Sequence, residues 1–446
     1  MNAPFLTDLD PEIAVKGSID PLGLLPLWGR YGRGVVGNLS LVASSARGFT
    51  TLLLGYHLAR RIIDEQELPE SRLVDLFLTF EQIAAYSRLA AAQDRDAPDP
   101  GILGLRRVRS RLAAGKRVPL GGGRDAQILS NQRAYGLWTL FSGPAQQSGL
   151  LVRKTMRLTD EAEDFVRRTA YPRLERAGLR NARSLLDLMV RGRYFEPRGR
   201  HALIAGAVAE LHADEFSADE QAFYLERFAC GGPSDPGGCQ HQLWALMRAY
   251  NDEHDTWRER LSMAELDALI DGARREGHAE LEDRLWRIRR FEQVIGPASL
   301  LFGYLQDHAD ERSVTDVAGD LQATWIHGLR HVDPEAVAQH LEPVCELHGE
   351  EGQRRFEQLA HALHNGQWAK VIELVLEQNA EVMARRGGGP WIISDGGVLQ
   401  VRYHQEGGDL PEDPGRRLVH PYFITSVKSV GAQVLGKLAA RSEDDD

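Results

Sequence analysis

The chain has 446 residues, enough for two or three domains, and 43% of them are hydrophobic, as is typical of a globular protein with a core. No apolar run approaches the ~18 residues that span a bilayer, and the first residues lack the pattern of a secretory signal, which excludes a membrane protein and favours the cytoplasm. Three cysteines argue against a disulfide framework, and the net charge of −11 describes an acidic chain.

Charge is distributed unevenly along this chain. Residues 101–200 hold 21 basic and 8 acidic side chains, although the chain as a whole is acidic. A basic segment within an acidic chain is typical of a surface that binds a polyanion. Nearly all of the 53 basic residues are arginines, whose planar guanidinium group suits phosphates, but a GC-rich genome gives the same bias.

Helical patterns begin near the start of the chain. Apolar side chains recur at helical spacing over 44–65, which Ser44 or Ser45 can cap, and again over 71–92. The same pattern continues from 201 to about 385. The sequence therefore predicts a mainly α protein with a multi-helical body.

Three later helix starts are marked by capping residues. Ser217 precedes Glu220 by three residues, and Ser262 precedes Glu265 in the same way, which is the pattern of a capping box. Asp333-Pro334 combines an N-cap with a proline at the first helical position.

The C-terminal end has a different composition. A glycine cluster at 387–389 ends the helical stretch, and alternating apolar residues over 391–403 predict a short β-hairpin. A closing helix is predicted at 421–441, and the acidic tail 443–446 is predicted to be disordered.

Residues 126–170 have the order helix, basic hairpin, helix. A helical pattern over 126–141 precedes a short strand pair at 149–158, and Thr159 can cap the helix that follows. This order resembles the wing and neighbouring helices of winged-helix domains. In that family the helix before the hairpin enters the major groove and the basic residues of the wing contact phosphates. The alternative is a packing element whose arginines are solvated.

The predicted nucleic-acid contacts come from two sources. The resemblance implies the residues in and around the hairpin, and the local charge implies the arginine run at 106–111. Together they are Arg106, Arg107, Arg109, Arg111, Arg133, Arg153, Lys154 and Arg157. The alternative is that these arginines pair with the acidic remainder of the chain.

With this element, the sequence predicts four domains. They are an N-terminal helical domain (1–120), a basic winged-helix-like segment (121–200), a helical domain (201–385) and a C-terminal hairpin with a helix and acidic tail (386–446).

Metal binding is the second candidate chemistry. Thiolates and imidazoles are the ligands that zinc prefers, and the candidate ligands are Cys230, Cys239, His241 and Cys345. The gap of eight residues between the first two is looser than in most structural zinc sites, so a surface loop with free thiols is the alternative. No other cofactor is predicted.

Other motifs are weaker. Six histidines lie between 327 and 364 and His254-Asp255 is a possible phosphohydrolase pair, but the sequence has no HExxH motif, and core or surface histidines are the alternative. Gly32–Gly37 has the GxGxxG spacing of a dinucleotide site but follows a proline-broken segment rather than a strand. No catalytic residue is assigned.

The two ends of the chain carry a second resemblance. The segments 20–23, 28–29 and 37–49, together with 389–391 and 420–423, resemble bacterial proteins encoded in antiphage-defence operons beside helicases, nucleases or ATPases. The resemblance implies a subunit of a multi-protein defence assembly.

These observations favour a non-enzymatic, nucleic-acid-binding or scaffold subunit of a cytoplasmic bacterial complex, with DNA favoured over RNA and no membrane contact. The competing hypothesis is a metal-dependent phosphohydrolase or nuclease that uses the His/Cys cluster. A pure protein–protein adaptor is a third hypothesis.

Overall fold

The computed structural model describes residues 20–95, 101–235, 237–326 and 328–438. Helices account for most of this part of the chain, which confirms the prediction of a mainly α fold. The strands described form three two-stranded antiparallel sheets. Within the same residues, every helix is too short or too polar to cross a membrane.

In chain order, the helices are α1 (Leu25–Arg33), α2 (Ala46–Gln66), α3 (Leu73–Asp94), α4 (Leu105–Ala114), α5 (Gln132–Tyr135), α6 (Leu137–Leu140), α7 (Ser142–Gln147), α8 (Asp160–Arg176), α9 (Arg183–Arg191), α10 (Ala202–Glu210), α11 (Ala218–Tyr224), α12 (Cys239–His254), α13 (Met263–Arg275), α14 (Ala279–His308), α15 (Val314–Thr324), α16 (Pro334–Ala338), α17 (Glu342–Asn365), α18 (Trp368–Arg385) and α19 (Ile424–Val434). The strands are β1 (Val118–Pro119), β2 (Leu151–Val152), β3 (Arg157–Leu158), β4 (Tyr194–Phe195), β5 (Ile392–Asp395) and β6 (Val398–Val401).

The chain forms two compact units, and each is discontinuous in sequence. The first unit combines the chain up to Val35 with Arg260–Tyr422, and the second combines Val36–Glu259 with the chain from Phe423 onward. The division into four domains at 120, 200 and 385 stays a prediction.

The second unit is built around α2 and α3. Helix α2 starts where the Ser45 side chain accepts a hydrogen bond from the backbone N–H of Gly48, as the sequence predicted. The ring of Phe49 in α2 stacks on Phe228 with centroids 3.8 Å apart, and Tyr56 packs against Phe77 of α3. Burial of these large rings provides the hydrophobic driving force for this unit.

The first unit is organised by the 30-residue helix α14, against which α1, α13, α17 and α18 pack. The middle of α14 is almost wholly buried, and it carries one charged side chain there, Glu292, which is 1% exposed. That carboxylate accepts hydrogen bonds from the backbone N–H groups of Val419 and His420, the ring of His420 and the hydroxyl of Tyr422. A buried charge is tolerated where donors surround it in this way.

The predicted caps and the C-terminal hairpin are confirmed. Ser217 and Glu220 form a complete capping box, and Ser262 and Asp333 each accept a hydrogen bond at the start of a helix. Strands β5 and β6 pair with Ile392 opposite Val401, and both turn glycines between them have positive φ, as a tight hairpin turn requires.

The closing helix is shorter than predicted. It spans α19 rather than 421–441, because Tyr422 and Phe423 have left-handed backbone angles and Gly436 has a φ of 67°. Left-handed residues end or precede a helix. The acidic tail 443–446 lies outside the described residues.

Candidate nucleic-acid interface

Helix α4 carries the arginine run predicted to bind phosphates. Val108 is fully buried and is the only residue of the helix in that class, so it anchors α4 on the second unit's core. Arg106, Arg107 and Arg109 are exposed and Arg111 is half-buried. The backbone of Gly104 at the start of α4 lies so close to the carbonyl of Ile128 that no side chain fits there, which fixes the helix against the following loop.

The arginines of α4 bond mostly to neutral groups. Arg107 donates to the backbone carbonyl of Gln127 at 3.2 Å. Arg111 donates to the hydroxyl of Tyr86 at 3.1 Å and to the carbonyl of Ala126 at 2.8 Å. Neutral acceptors orient a guanidinium group without cancelling its charge.

Arg106 has an exposed side chain with no hydrogen bond or ion pair to any described residue. Arg109 differs from it, because that residue does interact with its surroundings. Three positive charges on α4, those of Arg106, Arg107 and Arg111, therefore lack a carboxylate partner within the described residues.

The sheet β1–β4 places an arginine on an exposed aromatic ring. Val118 pairs with Phe195, and both side chains are fully buried. On the other side of the strands, the guanidinium carbon of Arg117 lies 4.8 Å from the centroid of the Tyr194 ring, which is 43% exposed. Exposed rings beside arginines can stack on bases, so this pair adds an aromatic element to the basic surface.

The sequence pattern did not identify Tyr194 as part of the basic surface. The signal was present, since this tyrosine stands in the run Arg191-Gly-Arg-Tyr-Phe195, but only the pairing of β4 with β1 brings it to Arg117.

The hairpin β2–β3 is confirmed, as is the cap of α8 by Thr159. Arg153 and Lys154 are exposed at its tip and have no side-chain partner among the described residues. Arg157 differs, because it donates two hydrogen bonds of 2.8 Å to Asp64 and so lowers the pKa of that carboxyl. The positive charge of Arg157 is therefore neutralised by the Asp64 carboxylate.

The prediction of one helix over 126–141 is wrong. The segment forms the short helices α5 and α6, with α7 after them. The Asn131 side chain caps α5, and Gly136 adopts an extended conformation (φ −94°, ψ −174°) that ends it. The hairpin therefore lacks the long preceding helix of a winged-helix domain. Arg133 lies exposed on α5 without a side-chain partner among the described residues.

The predicted contacts fall on separate elements. The four arginines of α4 share a helix that packs against α3, whereas the hairpin packs against α2. A hydrogen bond from the backbone N–H of Gln132 to the Gln127 side chain links the start of α5 to the loop that holds Arg107.

The predicted zinc ligands do not form a site within the described residues, where no group of three or more His, Cys, Asp or Glu side chains could hold a metal ion. Cys230, Cys239 and His241 belong to the second unit and Cys345 to the first. Burial, with Glu226 and Asp235 nearby, raises the pKa of the Cys230 thiol to about 11. A protonated thiol is a poor metal ligand.

Several of the described histidines have individual structural partners. His364 contacts the carbonyl of Val332 at 2.7 Å, His340 contacts Arg290 at 2.8 Å and His348 contacts Arg385 at 3.2 Å. His254 bonds to the carbonyl of Tyr250 at 2.9 Å. His327 lies outside the described residues.

The GxGxxG segment begins inside a helix, since Gly32 and Arg33 are the last two residues of α1. A dinucleotide site requires a strand at this position.

The residues that carry the resemblance to defence proteins hold buried polar networks. Arg47 donates to Glu220 at 2.8 Å and to the carbonyls of Ala213 and Glu215. The Asn38 side chain donates to the Arg227 carbonyl at 2.7 Å and to the hydroxyl of Ser148.

A comparison of this chain with protein-family models, curated proteins and solved structures found no match.

Proposed function

We propose that the second unit binds duplex DNA through α4 and the β1–β4 sheet, and that the protein acts without catalysis. The observation that carries the proposal is that, among the described residues, Arg107 and Arg111 of α4 bond to neutral groups and Arg106 has no partner. Arginines that already pair with carboxylates gain little from phosphate, whereas uncompensated ones gain by releasing counterions from DNA.

The sequence in and after α4 supports the same proposal. Residues 101–124 contain seven basic residues and no aspartate or glutamate. The basic residues are Arg106, Arg107, Arg109, Arg111, Lys116, Arg117 and Arg124. A surface of one sign attracts a polyanion and raises the rate of association.

DNA is favoured over RNA because of the shape of α4. This helix has ten residues, which corresponds to about 15 Å, and Arg106, Arg107 and Arg109 are exposed on it. The major groove of B-DNA admits an α-helix, whereas the major groove of A-form RNA is too deep and narrow.

The protein partners follow from the resemblance of the two chain ends to subunits encoded in antiphage-defence operons. We propose a helicase, nuclease or ATPase as the partner and the bacterial cytoplasm as the location. DNA binding by this chain would then deliver the substrate to the partner's chemistry.

Fluorescence anisotropy with a labelled duplex tests the DNA proposal. Wild-type protein is titrated at several salt concentrations and compared with the double variant Arg106→Ala/Arg107→Ala. We expect weaker binding for all duplex sequences alike, and a plot of log affinity against log salt whose slope is shallower by about 1 to 2, since each phosphate contact contributes about 0.9.

The matched control is Arg167→Ala/Arg168→Ala, an adjacent exposed pair whose side chains already bond to Glu163 and Asp164. This variant removes the same formal charge and should leave the slope nearly unchanged. No binding at low salt, or equal slopes for the two double variants, would contradict the proposal. Single-stranded and duplex RNA of the same sequence are the competing ligands in the same assay.

A further inference from the structure

A cavity of about 300 Å³ lies inside the second unit, between α2 and α3. Its remaining walls come from residues 101–103 and from the side chains of Ile128, Leu137 and Phe141. These three side chains are buried, and Val42 is 47% exposed where it borders the cavity. The space is thus mainly apolar, with an apolar residue that solvent can reach.

One face of α3 lines the cavity with a regular pattern. Glu81, Ala84, Ala85 and Arg88 all border it, and their spacing of three, four and seven residues places them on the same side of the helix. The two alanines in the middle leave the space that larger side chains would fill, with an acidic group at one end and a basic group at the other.

The acidic end is already satisfied. The Glu81 carboxylate accepts a hydrogen bond from the Gln132 side chain at 2.7 Å and one from the backbone N–H of Leu137 at 2.8 Å. Thr51, which also lines the cavity, bonds to the ring of His212 at 2.8 Å. These groups therefore have partners without any ligand.

The basic end of the cavity has no such hydrogen-bond partner within the described part of the chain. Arg88 has no hydrogen bond and no ion pair to any described residue, although it is largely withdrawn from solvent. Burial lowers the pKa of Arg88 to about 10, and the opposing effect of Asp214 does not restore it. A guanidinium group keeps its proton at neutral pH, so this position holds a charge that no described residue pairs at ion-pair distance, although Asp214 acts on it from farther away.

We propose that the cavity binds a small organic acid, with its carboxylate on Arg88 and its apolar body along Ala84, Ala85 and Phe141. A single guanidinium fork matches one carboxylate by two parallel hydrogen bonds. A phosphate monoester carries up to two negative charges, and Arg88 is the only basic side chain among the described residues that line the cavity, so the second charge would have no cationic partner there.

The size of the cavity limits the ligand. A cavity of about 150 Å³ holds benzene, so about twice that volume corresponds to roughly a dozen non-hydrogen atoms. Medium-chain fatty acids and aryl-propionic acids have this size and this combination of an apolar body with one carboxylate.

Octanoate, octanol and octyl phosphate test the proposal by isothermal titration with the full chain. The three probes share the apolar body and differ in the head group. We expect octanoate to bind at least tenfold more tightly than octanol and more tightly than octyl phosphate, and to raise the melting temperature. Equal affinities for octanoate and octanol, or no binding of octanoate at millimolar concentration, would overturn the proposal. Octyl phosphate binding as tightly as octanoate would overturn the choice of a carboxylic acid.

Two variants locate the site. Arg88→Met should reduce octanoate affinity at least tenfold and leave octanol affinity unchanged, whereas Ala85→Leu should reduce the affinity for both by filling the cavity. Arg180→Met is the matched control, since that side chain is exposed and does not line the cavity. Unchanged octanoate affinity in Arg88→Met, with its fold verified by circular dichroism, would overturn the assignment.

Discussion

Glu292 illustrates how one carboxylate can organise a buried region. It accepts four hydrogen bonds, and all of them come from backbone or side-chain donors of the short segment Val419–Tyr422. The ring of Trp28 also packs against His420 and Tyr422, with centroids 6.4 and 6.1 Å apart. One side chain of α14 therefore bonds to three of the four residues of this segment.

Replacing Glu292 with alanine should reduce the free energy of unfolding by about 3 kcal/mol or more, because it leaves buried donors unpaired. Chemical denaturation followed by tryptophan fluorescence measures this change. Glu346→Ala is the control: its ion pair with Arg30 is exposed on both sides and should contribute at most about 1 kcal/mol. Similar losses for the two variants would contradict the account.

Glu81 gives a prediction about pH. Burial raises the pKa of its carboxyl from 4.5 to about 7, although hydrogen bonds from Gln132 and Leu137 act in the opposite direction. The folded protein therefore holds this proton more tightly than the unfolded chain between pH 4.5 and 7, and the stability contributed by Glu81 is full below pH 4.5 and declines as pH rises to 7.

Denaturation of wild type and Glu81→Gln from about pH 4.5 to about pH 8 tests this sign. The glutamine cannot ionise, so the variant should gain stability relative to wild type as pH rises, by an amount on the order of a few kcal/mol. A constant difference between the two proteins across this range would show that Glu81 is not responsible.

At the scale of elements, identical substitutions should have opposite effects in two helices. A Cβ atom at Gly431 of α19 would collide with the ring of Trp244 of α12, so Gly431→Ala should destabilise the protein by about 1 to 3 kcal/mol. Gly206 lies exposed in the middle of α10 with open space around it, so Gly206→Ala should stabilise the protein by about 0.5 to 1 kcal/mol. Thermal unfolding of both variants gives the sign of each change in stability. A change of the same sign in the two variants would refute the argument.

The elements also show what sequence patterns can predict. Helices α2 and α3 were predicted within two residues at each end, because their apolar periodicity and the Ser45 cap are local features. The segment 126–141 has a similar apolar content but breaks at Gly136, which lies against the Glu81 carboxylate of a distant helix. Contacts between residues so far apart in the sequence cannot be predicted from the spacing of apolar residues.

The candidate interface was predictable in part. The local charge identified the arginines of α4 as a group, but their neutral partners Gln127, Tyr86 and Ala126 depend on tertiary packing. The pairing of Arg157 with Asp64 joins residues 93 positions apart, and that Arg88 has no hydrogen-bond partner among the described residues is equally a property of the folded unit.

At the scale of the whole molecule, the C-terminal segment belongs to both units. Trp391, Ile392, Leu399 and Val401 of the hairpin are buried in the first unit, and α19 belongs to the second. A chain that ends at residue 385 would lose a buried part of each unit and expose apolar surface. We therefore expect this truncated chain to be insoluble or unfolded, as measured by sedimentation and circular dichroism. A soluble chain with unchanged helicity and association would contradict this.

The discontinuity of the units has a consequence for synthesis. The ribosome completes residues 36–259 long before it reaches α19, and about 180 residues separate the end of that segment from the end of the described chain. At about 5 to 20 residues per second, the nascent second unit would wait roughly 10 to 40 seconds with the α12 surface around Trp244 uncovered. During that interval the apolar core of the second unit is incomplete. We therefore expect chaperones to bind this part of the nascent chain.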